Sequence, residues 1–335
     1  MLVNLKGIFT PQSVAATLER LPDLSTTILD TAFPARPTHP FVGVGVGELT
    51  VVTGTVPVVR RGGQPITVGN DAGEVMIIAP KPIKPAVEVT AAELNDLKML
   101  MGNNNGNAVN TWRQNKIDAL RRLVRDTTEA MASIVLYQGK VDWPERRDGG
   151  GNTSYVVDYG SPLIYTLAQK LTSSSKMSEV YRLLMAMRNQ IRRNGIGGKI
   201  AFHAGSDVFM VIMDICQNYT STAKGENIRV ELSTDQGVID IGGFPIMLMD
   251  ETYQHPVSGQ WVEKLNAKTL VGFAADVSGK VWYCAIDSIS AADCAVPFYV
   301  VPEALPGDSG IRLIAQSKPL PARNPKTVCS AVVVG

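Results

Sequence analysis

The chain has 335 residues, 45% of them hydrophobic, and carries 32 Lys+Arg against 31 Asp+Glu for a formal net charge of +1. That length buries a sizeable core in one or two domains, and the near-balanced charge excludes a surface built as a whole to bind nucleic acid. Cys216, Cys284, Cys294 and Cys329 form no C-x-x-C pair for zinc or dithiol chemistry, and no apolar run reaches the ~18 residues of a membrane span.

The start, Met1-Leu2-Val3-Asn4-Leu5-Lys6, lacks a signal-peptide core, so a reducing cytoplasm is the expected setting. Gln12 to Leu21 is a short helix candidate with Val14, Leu18 and Leu21 on one face. Pro22, Pro34, Pro37 and Pro40 follow with few core-type runs between them, which predicts an extended arm that orders on a neighbour. Phe41 to Val59 partly alternates in β fashion, Arg60-Arg61-Gly62-Gly63-Gln64-Pro65 is a turn, and a return strand lies near Glu74 to Ile78. Pro80, Pro82 and Pro85 fix an extended exit. A two-stranded hairpin alone is marginal in water, so this one is expected to pack on a partner subunit.

Thr90 and Glu93 form a capping box for a helix ending at Gly102, and Asn103-Asn104-Asn105-Gly106 breaks the chain. A long amphipathic helix is predicted over 107–138, about 45 Å of spine. Its stripe is Val109, Trp112, Leu120, Leu123, Thr127, Met131 and Ile134, flanked by Ile117 and Val124. The opposite, charged face carries Arg113, Lys116, Asp118, Arg121, Arg122, Arg125, Asp126 and Glu129. Gly139 ends the helix.

Residues 140–160 are a polar, Gly-rich connection with a short strand at Tyr155 to Asp158. Helices are expected from Ser178 to Asn194 and after a Ser206 or Asp207 cap. Strands are expected at Lys199 to His203, Val238 to Ile241, Phe244 to Met249, Ile311 to Ser317 and Thr327 to Val334. Leu270 to Ala275 and Lys280 to Ile286 are expected to pair through the Val277-Ser278-Gly279 turn. The whole is α+β without βαβ alternation.

Catalytic signatures fail on inspection. Gly43-Val44-Gly45-Val46-Gly47 has the wrong spacing for a dinucleotide loop, Gly198-Lys199 and Gly279-Lys280 fail as phosphate loops, and no G-x-S-x-G occurs. His203 with Ser206 and Asp207 is the cluster that suggests a hydrolase; its bland alternative is a satisfied histidine before a helix cap. No metal-ligand spacing and no cofactor motif are found, so no catalytic residue, metal or cofactor is assigned. Arg182, Arg188, Arg192, Arg193 and Lys199 either complement a helix C-terminus or form a contact patch.

The order of features resembles a known family. It comprises an N-terminal arm, a hairpin with Val58-Val59-Arg60-Arg61-Gly62-Gly63, and Pro82-Ile83-Lys84-Pro85 leading to Val87-Glu88-Val89. A long helix closing on Leu136-Tyr137-Gln138-Gly139-Lys140, then Val157-Asp158-Tyr159-Gly160, follow. Gly307-Asp308 through Gln316-Ser317-Lys318-Pro319-Leu320 to Val328 and Val332 completes the set. Over roughly 40–335 this is similar to the major capsid proteins of lambda-type tailed phages, the capsid protein E family. The resemblance implies the Hong Kong 97-type (HK97-like) capsid fold. Residues 1–40 would be the N-arm and 45–86 the extended loop. The peripheral domain would be 87–160 plus 306–335, with spine helix 107–138, and the axial domain 161–305. It further implies pentamers and hexamers of the chain closing an icosahedral shell, the virion capsid, around double-stranded DNA held without sequence specificity. Assembly would take place in the bacterial host cytoplasm, without a membrane. A separate scaffolding protein, a portal and a maturation protease would be partners, with room for a decoration protein. The loop tip, Arg60, Arg61, Gly62 and Gly63, would touch a neighbour. The rival readings are an encapsulin-type nanocompartment shell and a soluble α+β hydrolase using His203, Ser206 and Asp207.

Overall fold

The stretch expected to be helical over 107–138 is one continuous helix, Gly106–Gln138. The computed structural model describes residues 16–18, 20–45, 77–93, 96, 99, 106–147, 150–219, 228–233, 237–277, 279–288, 291 and 294–335, the side chains of 106–109 and 308 excepted. Helices are α1 (Thr27–Thr31), α2 (Gly106–Gln138), α3 (Met177–Arg192) and α4 (Ser206–Gln217). The N-terminal strands are β1 (Thr38–His39), β2 (Val44–Gly45), β3 (Ile77–Ile78) and β4 (Ala86–Thr90). After α2 come β5 (Lys140–Arg146), β6 (Asn152–Asp158), β7 (Leu163–Ile164), β8 (Ile200–Ala204), β9 (Val230–Ser233), β10 (Val238–Ile241) and β11 (Phe244–Leu248). Then follow β12 (Thr252–Gln254), β13 (Trp261–Glu263), β14 (Thr269–Ala274), β15 (Lys280–Cys284), β16 (Tyr299–Ala304), β17 (Gly310–Gln316), β18 (Pro319–Ala322) and β19 (Val328–Val332).

A seven-stranded sheet in the order β7-β19-β14-β8-β11-β10-β9 divides the core. Successive side chains of a strand point to opposite faces. Along β14, Leu270 and Ala274 join the apolar residues of α3 and α4, among them Leu184, Met187 and Ile212. Val271 and Phe273 face the other way, onto Met131, Val135 and Leu136 of α2. The earlier half of α2 lies on the sheet β16-β17-β4, where Ile117, Leu120 and Val124 meet Val89, Leu313 and Ala315. Every residue from Thr128 to Leu136 is buried, so α2 is amphipathic at its start and enclosed at its end. Leu123, placed on the stripe by sequence, is 53% exposed, because the buried seam runs through Ile117, Leu120 and Val124.

Several expectations are corrected. The proline-rich stretch after Pro22 folds back onto its own chain from Thr27 onward. Ile28, Leu29, Ala32 and Phe33 are fully buried against α2, and β1 pairs in parallel with β15. The four apolar residues between Thr27 and Pro34 are enough to anchor it, which the proline spacing obscured. Residues 140–160 are a full antiparallel ribbon, β5–β6, from Lys140↔Asp158 to Arg146↔Asn152. Pro144 and the charges around it hid the first strand. β14 and β15 do not pair with each other: β14 lies between β19 and β8, and β15 between β1 and β18. The cap of α4 is Gly205, not Ser206 or Asp207. Its first amides are taken by a carbonyl, since Asp207 and Val208 both donate to Ala267 O. β16 pairs with β17, and β19 sits inside the seven-stranded sheet.

Candidate assembly interface

The hairpin expected after Phe41 is rooted as predicted, with Val44 opposite Ile78 and Gly45 opposite Ile77 in antiparallel register. Val44 is fully buried beside Cys284 and Leu320, while Ile77 and Phe41 are exposed. β2 and β3 form a sheet of two strands among the described residues. The tip at Arg60, Arg61, Gly62 and Gly63 lies outside the described residues.

Most of the charged face of α2 is tied down locally. Arg122 pairs with Asp118 at 2.7 Å, Arg121 reaches Asp118 at 3.6 Å and the Pro22 carbonyl, and Arg125 bonds Asp30 at 3.1 Å. Lys116 pairs with Glu93 at 3.3 Å and sits over the Trp112 ring, and Arg113 donates to Asn110. Burial and the nearby Arg20 hold the Arg113 guanidinium below its ordinary pKa.

Glu129 does not belong to that face. It is buried, and its two carboxylate oxygens accept the Ile28 and Leu29 amides at 2.8 Å each. It thereby caps α1, whose own N-cap Thr26 makes no side-chain cap bond. Lys264, also buried, donates to Glu129 at 3.0 Å and to Glu251, and Thr27 bonds Glu251 as well. Burial raises the Glu251 carboxyl, but the bonds from Lys264 and Thr27 outweigh it and leave the pKa lowered. Helical period alone places Glu129 outward. Its partners are about 100 and 135 residues away in sequence, so no local signal announces them.

This ion cluster forms one wall of a cavity of about 550 Å³ between α2 and the β12–β13 ribbon. Asp126, Trp143, Tyr253 and Trp261 also line it. Trp261 is 70% exposed. Burial raises the Asp126 carboxyl.

His203 is separated from the groups that would have made a hydrolase. It is buried in β8 with Nδ1 2.8 Å from the Tyr137 hydroxyl and its ring 4.7 Å from Phe273, whereas Asp207 is exposed. Burial, reinforced by the Arg323 charge, pushes its pKa down to about 3. The ordinary value is about 6.5. As pH falls, the unfolded chain therefore takes up this proton first, and stability drops from about pH 6.5 toward 3. His203→Gln keeps an acceptor for Tyr137 without a titrating group. It is expected to flatten the fall of the urea midpoint between about pH 6 and 4, and an unchanged slope would count against it. Among the described residues no group of three His, Cys, Asp or Glu is placed to hold a metal, and no helix is long and apolar enough to cross a membrane.

Residues 10–333 match the family described as phage major capsid protein E. The chain belongs to that family. A member of this family is a structural protein of the phage shell, and self-association into the shell is its role. The capsid protein is similar in fold to the crystal structure of a capsid protein of an E. coli CFT073 prophage. That match has 18% identity and a TM-score of 0.64, and covers 97% of this chain and 99% of that one. A phage-related protein of Bordetella bronchiseptica RB50 matches with 10% identity and a TM-score of 0.50, covering 95% of each chain. A virus-like particle from Pyrococcus furiosus matches with 10% identity and a TM-score of 0.43, covering 98% and 97%. No curated protein matches the capsid protein in sequence. The fold is the α+β Hong Kong 97-type capsid fold expected from the sequence.

Proposed function

We propose that the capsid protein closes, as pentamers and hexamers, an icosahedral shell around double-stranded phage DNA without reading its sequence. The observation that carries this reading is the family match over residues 10–333. At the β2–β3 root Val44 packs on its own chain, against Cys284 and Leu320, while Phe41 and Ile77 stay exposed and would be covered by a neighbour in the shell. In this reading residues 45–86 are the extended loop. Its tip at Arg60, Arg61, Gly62 and Gly63 makes the inter-subunit contact. α2 with the β16-β17-β4 sheet forms the peripheral domain, and the seven-stranded sheet with α3 and α4 forms the axial one. The exposed cations of the α2 face, Arg122 foremost, meet neighbours or the interior. Assembly takes place in the bacterial cytoplasm with a separate scaffolding protein, a portal and a maturation protease. Similar contacts repeated many times give the shell its stability.

Negative-stain electron microscopy of the purified protein, alone and co-expressed with a scaffold-like gene from its locus, tests this. Closed shells, tubes or capsomer rings are the expected result. Monodisperse monomers in both preparations would overturn it.

A further inference from the structure

We propose that the outward face of α3 on one copy meets the β12–β13 ribbon of the next, a head-to-tail contact that arranges copies in a ring. The proposal rests on the shell reading above and names the surfaces that join subunits within its pentamers and hexamers.

The chain separates its charges. Val180 to Lys199 holds four arginines, one lysine and no acid, and Asp250 to Glu263 holds three acids and no lysine or arginine. α3 buries Val180, Leu184, Met187 and Ile191 and turns Arg182, Arg192 and Arg193 outward. Arg182 and Arg193 are about three turns apart, on one side of the helix. The dipole at a helix C-terminus favours Arg192 and Arg193, but Arg182 lies in the first half of α3, beyond that help. Lys116 and Arg122 of α2 each hold an acid of their own chain. Arg182 and Arg193 hold none among the described residues, and Glu179 and Asp276, at the two ends of the stretch, accept main-chain amides.

The ribbon is the complement. Strand alternation puts Trp261 and Glu263 on one side of β13, opposite Gln254 and Thr252 of β12. All four are exposed, Trp261 by 70%. Asp250 is exposed as well, and neither it nor Glu263 pairs with a cation among the described residues. The adjoining ammonium, Lys264, is buried and committed to Glu129 and Glu251. An exposed indole two residues from an unpaired carboxylate suits a guanidinium, which stacks on the one and bonds the other.

The two surfaces cannot meet within one chain. α3 packs on the face of the seven-stranded sheet that carries Leu270 and Ala274, whereas Met249 and Leu265, which flank the ribbon, join α2 on the face of Val271 and Phe273. A second copy offers each surface its match. A contact between two different patches of identical chains repeats from copy to copy until a ring closes.

Arg182→Glu with Arg193→Glu is expected to lower the yield of rings and shells about tenfold while leaving the circular dichroism of the subunit unchanged, and Asp250→Arg with Glu263→Arg to do the same. All four changes in one chain are expected to restore most of the yield. Co-expression of the two double variants pairs unlike copies in alternation, which closes a ring of six but not of five. Tubes or sheets of hexamers are therefore expected from the mixture in place of closed shells. Normal yield from either double variant, no recovery in the fourfold one, or closed shells from the mixture in wild-type amounts would overturn the contact, while wild-type shells uphold the shell reading. Wild-type protein that forms neither rings nor shells would overturn both. A labelled DNA duplex tests the other anionic partner. An α3 variant that assembles normally but binds the duplex about tenfold more weakly would show that this face meets DNA, and would overturn the proposal as well.

Discussion

Replacing Glu129 with alanine is expected to lower the unfolding free energy by about 3–5 kcal/mol, the usual cost of removing one partner of a buried ion pair. The Lys264 ammonium would stay buried with only the half-exposed Glu251 beside it, and the Ile28 and Leu29 amides would lose their acceptor. Each of those amides adds about 1–3 kcal/mol if it stays dry, so part of the loss comes from the backbone. The double variant Glu129→Leu, Lys264→Met separates the contributions. It removes both charges at similar volume, which is often near neutral for the pair itself. What remains of the loss is then the cost of the uncapped α1. Urea denaturation of the unassembled subunit measures both variants. A loss below about 1 kcal/mol for Glu129→Ala would mean that Ile28, Leu29 and Phe33 hold this segment by packing alone.

Gly139→Ala is expected to cost more than about 3 kcal/mol and to leave little soluble protein at 37 °C. Gly139 has φ +75, and a Cβ there would lie 2.0 Å from the Gly160 carbonyl oxygen and 3.1 Å from Pro162 Cδ. The backbone conformation alone costs about 1–2 kcal/mol for an L side chain. The contact is with main chain, so relief requires moving the ends of the β5–β6 ribbon, where Tyr159 donates to Gly139 O. Gly150 is the control. It also has positive φ, +94, but a Cβ there meets nothing within 4 Å. Gly150→Ala is therefore expected to show only the conformational part, about 1–2 kcal/mol. Thermal unfolding of the two variants side by side checks the difference, and equal losses would show that the contact with Gly160 relaxes.

The elements that could be read from sequence are those whose signal is local. α2 carries its period through many turns and stops at a glycine, and it is found within one residue of its expected start. α3, β10 and β11 are legible for the same reason. Legibility fails where a distant partner decides. α1 is five residues among prolines, and only the α2 surface makes it a buried element. β14 and β15 look like a hairpin because Gly279 follows the first of them. Yet Gly279 approaches Phe33 and Ala32 so closely that a Cβ would lie 2.4 Å from the Phe33 ring, and its glycine serves that approach, not a turn. The cavity between α2 and the β12–β13 ribbon draws Asp126, Trp143, Glu251 and Trp261 from separate parts of the chain, and no spacing rule joins them.

The placement of β19 between β7 and β14 bears on how the subunit is made. β8 and β14 are made before the strand that completes their sheet at 328–332, which follows more than fifty residues after Ala274. β4 likewise waits for β17, more than two hundred residues later. Neither sheet closes during synthesis of its first strands, so the nascent chain holds exposed strand edges until β17 and β19 have been made. Long-range pairing of this kind folds slowly. A chain cut before Val328 is therefore expected to leave β7 and β14 with the unpaired edges that β19 otherwise joins, and unpaired edges invite aggregation.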